Sequence, residues 1–425
     1  MTTCTRQPSG PSTVATRPVV SVVLPCLNEE RTVGGCVQKA LRALADVGLS
    51  GEVIVSDNGS QDNSVAVAEQ SGARVVHCPE PGYGNAVRVG VEQSLGDLII
   101  MGDADGSYDF SAIKPFIEQL QDGADLVMGN RFRGGIRPGA MPWKNRWIGN
   151  PVLTSVLNLF FHVRIGDAHC GLRGFSRVAF ERMQLESPGM EFASEMVVKA
   201  AKCKMRISEV PATLDPDGRD RPPHLSPWRD GWRHLKFMLM FSPLHLFLIP
   251  GAALIVLGLL LMLIPFGGDY QIAGLRFGVH WMVLGALLLV VGVQVVQFGV
   301  VARLHTVTHR FPEPDRALDW LRGHVRFGHG ALLGGVLLAI GLGIDLWVLR
   351  EWIRAHFGAL EMIRPALVAT GLTAVGVQTI FFSFLVAIVN PSPIHRGREV
   401  DRSVPPAPAP ARSSSGARQE SSLQE

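Results

Sequence analysis

From Pro243 onward the chain consists of four long apolar runs, at residues 243–266, 280–304, 331–349 and 365–389, divided by short charged loops. A helix needs about 20 consecutive apolar residues to cross the hydrocarbon core of a bilayer, and these runs are of that order. The first carries one histidine, His245, and no acidic or basic side chain. One such run fits a buried helix of a large soluble protein. Four in succession predict a transmembrane domain over 243–391. Asp345, near the end of the third and shortest run, marks either a function or a helix interface.

Loop charge sets the orientation, because Lys and Arg accumulate on the cytoplasmic side. Arg229, Arg233 and Lys236 precede the first run. Arg303, Arg310, Arg316, Arg322 and Arg326 lie between the second and third, and Arg396, Arg398 and Arg402 follow the fourth. The opposite loops hold Arg276, then Arg350, Arg354 and Arg364. Both termini are therefore expected in the cytoplasm. Residues 1–17 are polar and lack the apolar centre of a signal peptide. They and the Pro/Ser/Arg-rich tail 392–425 read as disordered. The segment 226–242 sets Trp, Leu, Phe and Met beside Arg, His and Lys, the composition of an amphipathic helix lying in the bilayer interface. Small residues such as Gly334, Gly335 and Gly341 would allow close helix packing, including self-association into a homo-oligomer. A net charge of +3, with no basic stretch interleaved with aromatics, argues against nucleic acid as a partner. The six cysteines form no C-x-x-C pair, so neither a zinc site nor a redox dithiol is signalled.

Residues 18–225 read as a soluble domain. β-branched runs at 19–24, 52–56, 74–78, 97–102 and 125–129 alternate with helical patterns at 29–45, 64–71, 85–94 and 111–121. That alternation predicts an α/β domain, Rossmann-like, whose mostly parallel sheet is covered on both faces. In such sheets ligands bind beyond the carboxyl ends of the strands, so the residues just after each strand carry most weight.

Those residues are Pro25-Cys26-Leu27-Asn28-Glu29-Glu30, Asp57-Asn58-Gly59-Ser60-Gln61-Asp62, Pro81-Gly82-Tyr83-Gly84-Asn85-Ala86 and Asp103-Ala104-Asp105-Gly106-Ser107. Asn28 and Asp62 could simply cap the following helices. Gly82-x-Gly84 follows the third strand and has Val87 where a dinucleotide fingerprint needs glycine, so it reads as a turn. Asp103-x-Asp105 is more specific, because two carboxylates one residue apart at a strand end can share a divalent cation that neutralises a diphosphate. An EF-hand fails, since its glycine is misplaced and Lys114 stands where the last calcium ligand belongs. His169, between Asp167 and Cys170, reads as part of an ordinary polar loop rather than a chelating triad.

Taken in order, these motifs resemble glycosyltransferase family 2, and more closely its polyprenyl-phosphate sugar transferases, which are similar to dolichyl-phosphate mannose and glucose synthases. The resemblance covers residues 18–242 and implies a GT-A nucleotide-sugar-binding domain joined to a C-terminal four-helix transmembrane domain. By that likeness Pro25, Asn28 and Glu29 match the family's opening P-x-x-N-E at the nucleotide, and Asp57, Gly59 and Ser60 match its D-[DN]-G-S. Gly84 belongs with the nucleotide-sugar loops. Asp103 and Asp105 are implied to hold Mg2+ or Mn2+, with Ser107 at the position of a third ligand. Gly129-Asn130-Arg131-Phe132 corresponds to G-S-R-[FY], and Cys170-Gly171-Leu172-Arg173-Gly174-Phe175 to the later G-F-R segment, with Leu172 in place of an aromatic. Phe192-Ala193-Ser194-Glu195 matches F-x-x-E. Arg219, Arg221 and His224 fall in the basic loop over the site. Arg131, Arg173, Arg219, Arg221 and His224 are implied for a lipid phosphate, and Asp103, Asp105, Arg131 and Glu195 for catalysis, with Glu195 equally open to binding the acceptor side, orienting an arginine or forming a simple structural ion pair.

The implied reaction is inverting transfer of a sugar from a UDP-glucose or GDP-mannose type donor to undecaprenyl or dolichyl phosphate. Three rivals remain at this stage. A processive polysaccharide synthase carries Q-x-x-R-W, for which Trp143-Lys144-Asn145-Arg146-Trp147 is a poor substitute. Transfer to another lipid fits the same motifs. A flippase partner that binds nucleotide sugars without turnover is the rival from a different class.

Overall fold

The computed structural model describes residues 18–218, 227–309, 327–358 and 362–389. The chain divides into two compact units, Met1–Leu254 with Phe298–Asp315 and Ile255–Gln297 with Arg316–Glu425. The expected tails 1–17 and 392–425 lie outside the described residues.

The first unit is built on a seven-stranded sheet: β1 Val20–Cys26, β2 Gly51–Asp57, β3 Arg74–His77, β4 Leu98–Met101, β5 Leu126–Asn130, β6 Arg173–Ser176 and β7 Ile207–Pro211. Its spatial order is β3-β2-β1-β4-β6-β5-β7, and every pairing is parallel except those of β6 with β4 and β5. The helices are α1 Val33–Val47, α2 Ser64–Gln70, α3 Tyr83–Gln93, α4 Lys114–Gln121, α5 Arg131–Gly134, α6 Asn150–Phe161, α7 Arg177–Met183, α8 Phe192–Lys202 and α9 Pro227–Met240. Side chains alternate across a strand, so β1 sends Val22 and Leu24 into one core with Val33, Val37 and Leu44 of α1. Val23 points the other way, into a second core with Val87 and Val91 of α3 and Val197 of α8. The near-continuous apolar strands follow from this double cover.

Two strands are absent from the sequence reading. β6 and β7 are short and polar in part (Arg-Gly-Phe-Ser and Ile-Ser-Glu-Val-Pro), so they lack the β-branched signal that marks the first five. α9 also does more than an amphipathic interface helix would: Met238 is fully buried and belongs to the second core with Phe241, while Trp232 stays exposed. The helix is docked on the domain by its apolar face. The described cysteines are reduced, and burial pushes Cys26, Cys36 and Cys170 up to about 11, so they pack as small hydrophobes.

Among the described residues, four helices are long and apolar enough to span a membrane, over Leu244–Leu263, Val279–Leu304, Gly328–Arg354 and Ile363–Val389. In the second unit, α12 (Phe327–Arg354) and α13 (Ile363–Val389) form a close pair, following α10 (Ile249–Leu263) and α11 (Val279–His309). A Cβ on Gly334 would meet the Gly376 carbonyl at 2.8 Å, and one on Gly341 would meet the Thr373 amide at 2.8 Å. These glycines serve packing within the chain, and Gly335 has nothing within 4 Å.

Candidate active site

The chain leaves β1 toward β2 on one side while β4 pairs on the other, which opens a crevice at the carboxyl ends of β1 and β4. Backbone amides and short polar side chains bind the loops at this edge to one another. Asn28 takes a left-handed φ of +57°, its N–H donates to Ser60 Oγ at 2.9 Å, and its Oδ1 accepts from Gln61 N at 2.7 Å. Glu29 N–H donates to Ser64 Oγ at 2.7 Å. Pro25 pairs in register with Ser56, which aligns the ends of β1 and β2. Asp57 is buried, and its carboxylate accepts from the amides of Gly59 (3.2 Å) and Ser60 (3.1 Å). Asp57 therefore shapes the turn, and Gly59, with φ +89°, supplies its left-handed residue. Asn58 extends the stitching to the third loop by accepting from Gly82 N at 2.7 Å.

Asp103 and Asp105 follow β4 into the crevice. Asp105 is 8% exposed, and its Oδ1 accepts from Ser107 N at 3.0 Å and from Ser107 Oγ at 2.6 Å. Ser107 thus orients Asp105. A tyrosine unnoticed in the sequence reading holds the other carboxylate, and a second lies beside it. The Tyr83 hydroxyl hydrogen-bonds Asp103, and burial followed by that negative charge raises its pKa well above the usual range. Tyr108 accepts from Gly171 N at 2.7 Å, and a Cβ on Gly171 would lie 2.6 Å from Asp103 Oδ2. Only glycine lets that loop close on the carboxylate. On the other flank Gly218 N–H donates to the Asp105 carbonyl at 3.0 Å, and Asp215 N–H to that of Ser107 at 2.9 Å.

The donor set here is two carboxylates, and among the described residues no group of three His, Cys, Asp or Glu converges on one point. All-oxygen donors with few protein ligands suit Mg2+ or Mn2+, which fill the remaining positions with water and phosphate oxygens. The residues fit such an ion.

Arg131 and Arg173 sit elsewhere than a phosphate-binding role requires. The Arg131 guanidinium makes a two-pronged pair with Asp167, Nε to Oδ2 at 2.6 Å and Nη2 to Oδ1 at 2.8 Å, with Asp167 fully buried. Burial opposes both charges, but Tyr108 and Asp167 raise Arg131, and Arg131 brings Asp167 below the carboxylate range. Arg173 is 0% exposed and donates to the carbonyls of Cys170, Ala193 and Ala168 at 2.8, 2.5 and 2.9 Å. It pins the segment before β6 in place and is not presented to a lipid phosphate. The Asp167–Cys170 stretch is therefore a buried polar junction, not a solvated loop.

His169 lies in that junction. Its Nε2 is buried with no hydrogen-bond partner, and its ring is 4.8 Å from that of His234 on α9. Burial, then His234 and Arg131, lower its pKa to about 3. An unfolded histidine titrates near 6.5, so the unfolded chain binds more protons between these values, and stability falls as pH drops from about 6.5 toward about 3. His169→Gln is expected to flatten the pH dependence of the melting temperature across the upper part of that window. An unchanged slope in thermal melts of the purified protein would contradict this assignment.

Glu195 is also structural in its contacts. It is 2% exposed, pairs with Lys199 at 2.8 Å, and accepts from the amides of Glu186 and Ser187 at 3.1 and 2.8 Å. Lys199 in turn donates to the Gln184 carbonyl. The segment so fixed packs on the glycine loop: Gly84 N–H donates to the Pro188 carbonyl at 2.8 Å, and a Cβ on Gly84 would overlap the Ser187 carbonyl oxygen. Gly84 serves this contact. Gly84→Ala is expected to cost about 1–3 kcal/mol of stability through overpacking. Limited proteolysis should then cut near Ser187 sooner than in wild type. Arg219, Arg221 and His224 lie outside the described residues.

Comparison with known proteins accords with this geometry. The model of "Glycosyl transferase family 2" matches residues 21–184, and that of "Glycosyltransferase family 2 C-terminal transmembrane region" matches 300–390. The low-salt glycan biosynthesis hexosyltransferase Agl6 of Haloferax volcanii is 38% identical over 370 residues, which are 87% of this chain and 88% of that protein. A dolichyl-phosphate hexose transferase of the same organism is 28% identical over 197 residues, 45% of this chain and 81% of that protein. Glucosyl-3-phosphoglycerate synthase from Mycobacterium tuberculosis superposes with a TM-score of 0.42 at 23% identity over 54% of this chain and 81% of that one, too loosely to argue from. The likeness to the hexosyltransferase thus runs along most of both chains. The chain belongs to glycosyltransferase family 2 and carries that family's C-terminal transmembrane region.

Proposed function

We propose that the protein transfers a hexose from a nucleoside-diphosphate sugar to a polyprenyl phosphate at the cytoplasmic face of a membrane, with inversion at the anomeric carbon. The observation that carries this reading is the junction at Asp105. Its side chain lies in the crevice, and its carbonyl accepts from Gly218, the last described residue before the connection to α9 and the first span. That hydrogen bond ties the loop proposed for the donor to the stretch of chain that leads to the first span. The relatives named hexosyltransferase and dolichyl-phosphate hexose transferase support the same choice of reaction and acceptor.

The loops at Asn28–Glu29 and Gly59–Ser60 form the wall for the nucleoside. Asp103 and Asp105 would hold Mg2+ or Mn2+, which would supply positive charge to the departing diphosphate. The Tyr83 hydroxyl steadies Asp103 by its hydrogen bond. A phosphate monoester, with its second pKa of about 6, is largely dianionic at pH 7. It needs placement and positive charge more than a general base. With Arg131 and Arg173 committed to the fold, Arg219, Arg221 and His224 are the remaining candidates for that placement, on the connection that begins at Gly218.

The test is incubation of vesicles holding the protein and polyprenyl phosphate with labelled UDP-glucose, GDP-mannose and related donors. One donor should label a lipid product of opposite anomeric configuration. Retained configuration would refute inversion, and no product from any donor would favour the binding-only reading.

A further inference from the structure

A cleft of about 430 Å3, lined by neither Asp103 nor Asp105, lies between the Pro81 and Gly82 turn, the segment containing Pro188, Gly189 and Glu191, and one face of α9. α9 contributes Arg233, Lys236, Phe237 and Met240. Residues three and four apart share a helix face, so these four form a single stripe. The order along the stripe is informative. The two cations come first, the two apolar side chains follow, and the first span begins at Leu244, just beyond the end of α9 at Met240. The stripe therefore turns from cationic to apolar in the direction in which the chain approaches the bilayer. A phospholipid in that bilayer presents its phosphate and then its acyl chains in the same order.

The rest of the lining is compatible. Glu191 is the one acidic residue there, and its carboxylate is tucked against Gly189, where a Cβ would meet Oε2 at 2.6 Å. Neither Arg233 nor Lys236 has a part in the transfer chemistry described above. The volume falls in the range of small-molecule sites, enough for a phosphate and the glycerol beside it. We propose that this cleft binds the phosphodiester headgroup of an anionic membrane phospholipid, at a site separate from transfer. Each basic side chain near an anionic membrane surface adds about 1 kcal/mol of attraction, so the pair gives a measurable preference over zwitterionic lipid.

The experiment uses the full-length protein in phosphatidylcholine vesicles with and without phosphatidylglycerol, followed by mild extraction and native mass spectrometry to count retained phosphatidylglycerol. Arg233→Gln with Lys236→Gln should reduce retention by about tenfold or more. The charge-matched control Lys39→Gln with Arg42→Gln, on α1, should retain lipid as wild type does. Transfer in pure phosphatidylcholine should be equal in all three proteins. Wild-type retention in the α9 variant would overturn the proposal, as would equal loss in the control. A raised KM for polyprenyl phosphate in the α9 variant, in pure phosphatidylcholine, would also overturn it by assigning the cleft to the acceptor. Lipid retention is read without any transfer, so its failure is distinct from failure of the proposed reaction.

Discussion

Asp105→Ala is expected to lower kcat/KM for sugar transfer by about a thousandfold while leaving the protein folded. The expected size is that of removing several kcal/mol of charge stabilisation from a leaving diphosphate. The fold should survive because the backbone contacts at this position persist in alanine. The Asp105 carbonyl still accepts from Gly218, and Ser107 loses a partner for its amide and hydroxyl, a loss of about 1 kcal/mol per hydrogen bond. A melting temperature near that of wild type together with lost transfer is the diagnostic combination. Transfer at the wild-type rate would remove Asp105 from the chemistry altogether.

The second large effect falls on stability. Arg131→Ala leaves Asp167 charged, fully buried and without its guanidinium, a change that costs about 3–5 kcal/mol when a buried pair is broken. For a domain of this size that corresponds to a fall of roughly 10 °C or more in melting temperature. The pH dependence has a definite sign. Asp167 titrates below the usual carboxylate range in the folded protein, so its stabilisation is present above the unfolded value near 3.9 and is lost as pH falls through the folded one. Arg131→Leu combined with Asp167→Asn removes both charges and keeps an amide oxygen for one of the two backbone N–H groups, those of Arg131 and His169, that Asp167 accepts from. Most of the lost stability should return in thermal melts of the double variant. If activity does not return with it, Arg131 also touches substrate; if stability does not return, the ion pair is not the cause of the loss.

Why some of this was legible in the sequence, and some was not, follows from what each signal measures. The first five strands announce themselves through β-branched runs, and the loops after them through clustered Asp, Asn and Gly. Asp103-x-Asp105 could therefore be placed at a strand end before any coordinates. β6 and β7 carry too few apolar residues to register, so the antiparallel insertion that brings Gly171 against Asp103 was invisible. Motif position says nothing of burial, which is why Arg173 reads as a phosphate ligand in sequence and proves to be a fully enclosed brace on three carbonyls. For Glu195 the sequence left a structural ion pair open, and the fold supplies one with Lys199 beside backbone amides that any sequence could supply. Tyr83 and Tyr108 did leave a signal: two of the three tyrosines in the chain flank loops already marked as functional. Asp167 left none, because its partner Arg131 lies 36 residues away and only the fold joins them.

Everything proposed for the reaction depends on the two carboxylates after β4 facing a bound nucleotide. The direct measurement is a structure of the full-length protein with Mn2+ and a nucleoside diphosphate, using the anomalous signal of manganese to locate the ion. The expected result is manganese held between Asp103 and Asp105, with the diphosphate beside it and the nucleoside against the Asn28 and Ser60 loops. Manganese and nucleotide bound away from a pair that points out of the crevice would contradict it.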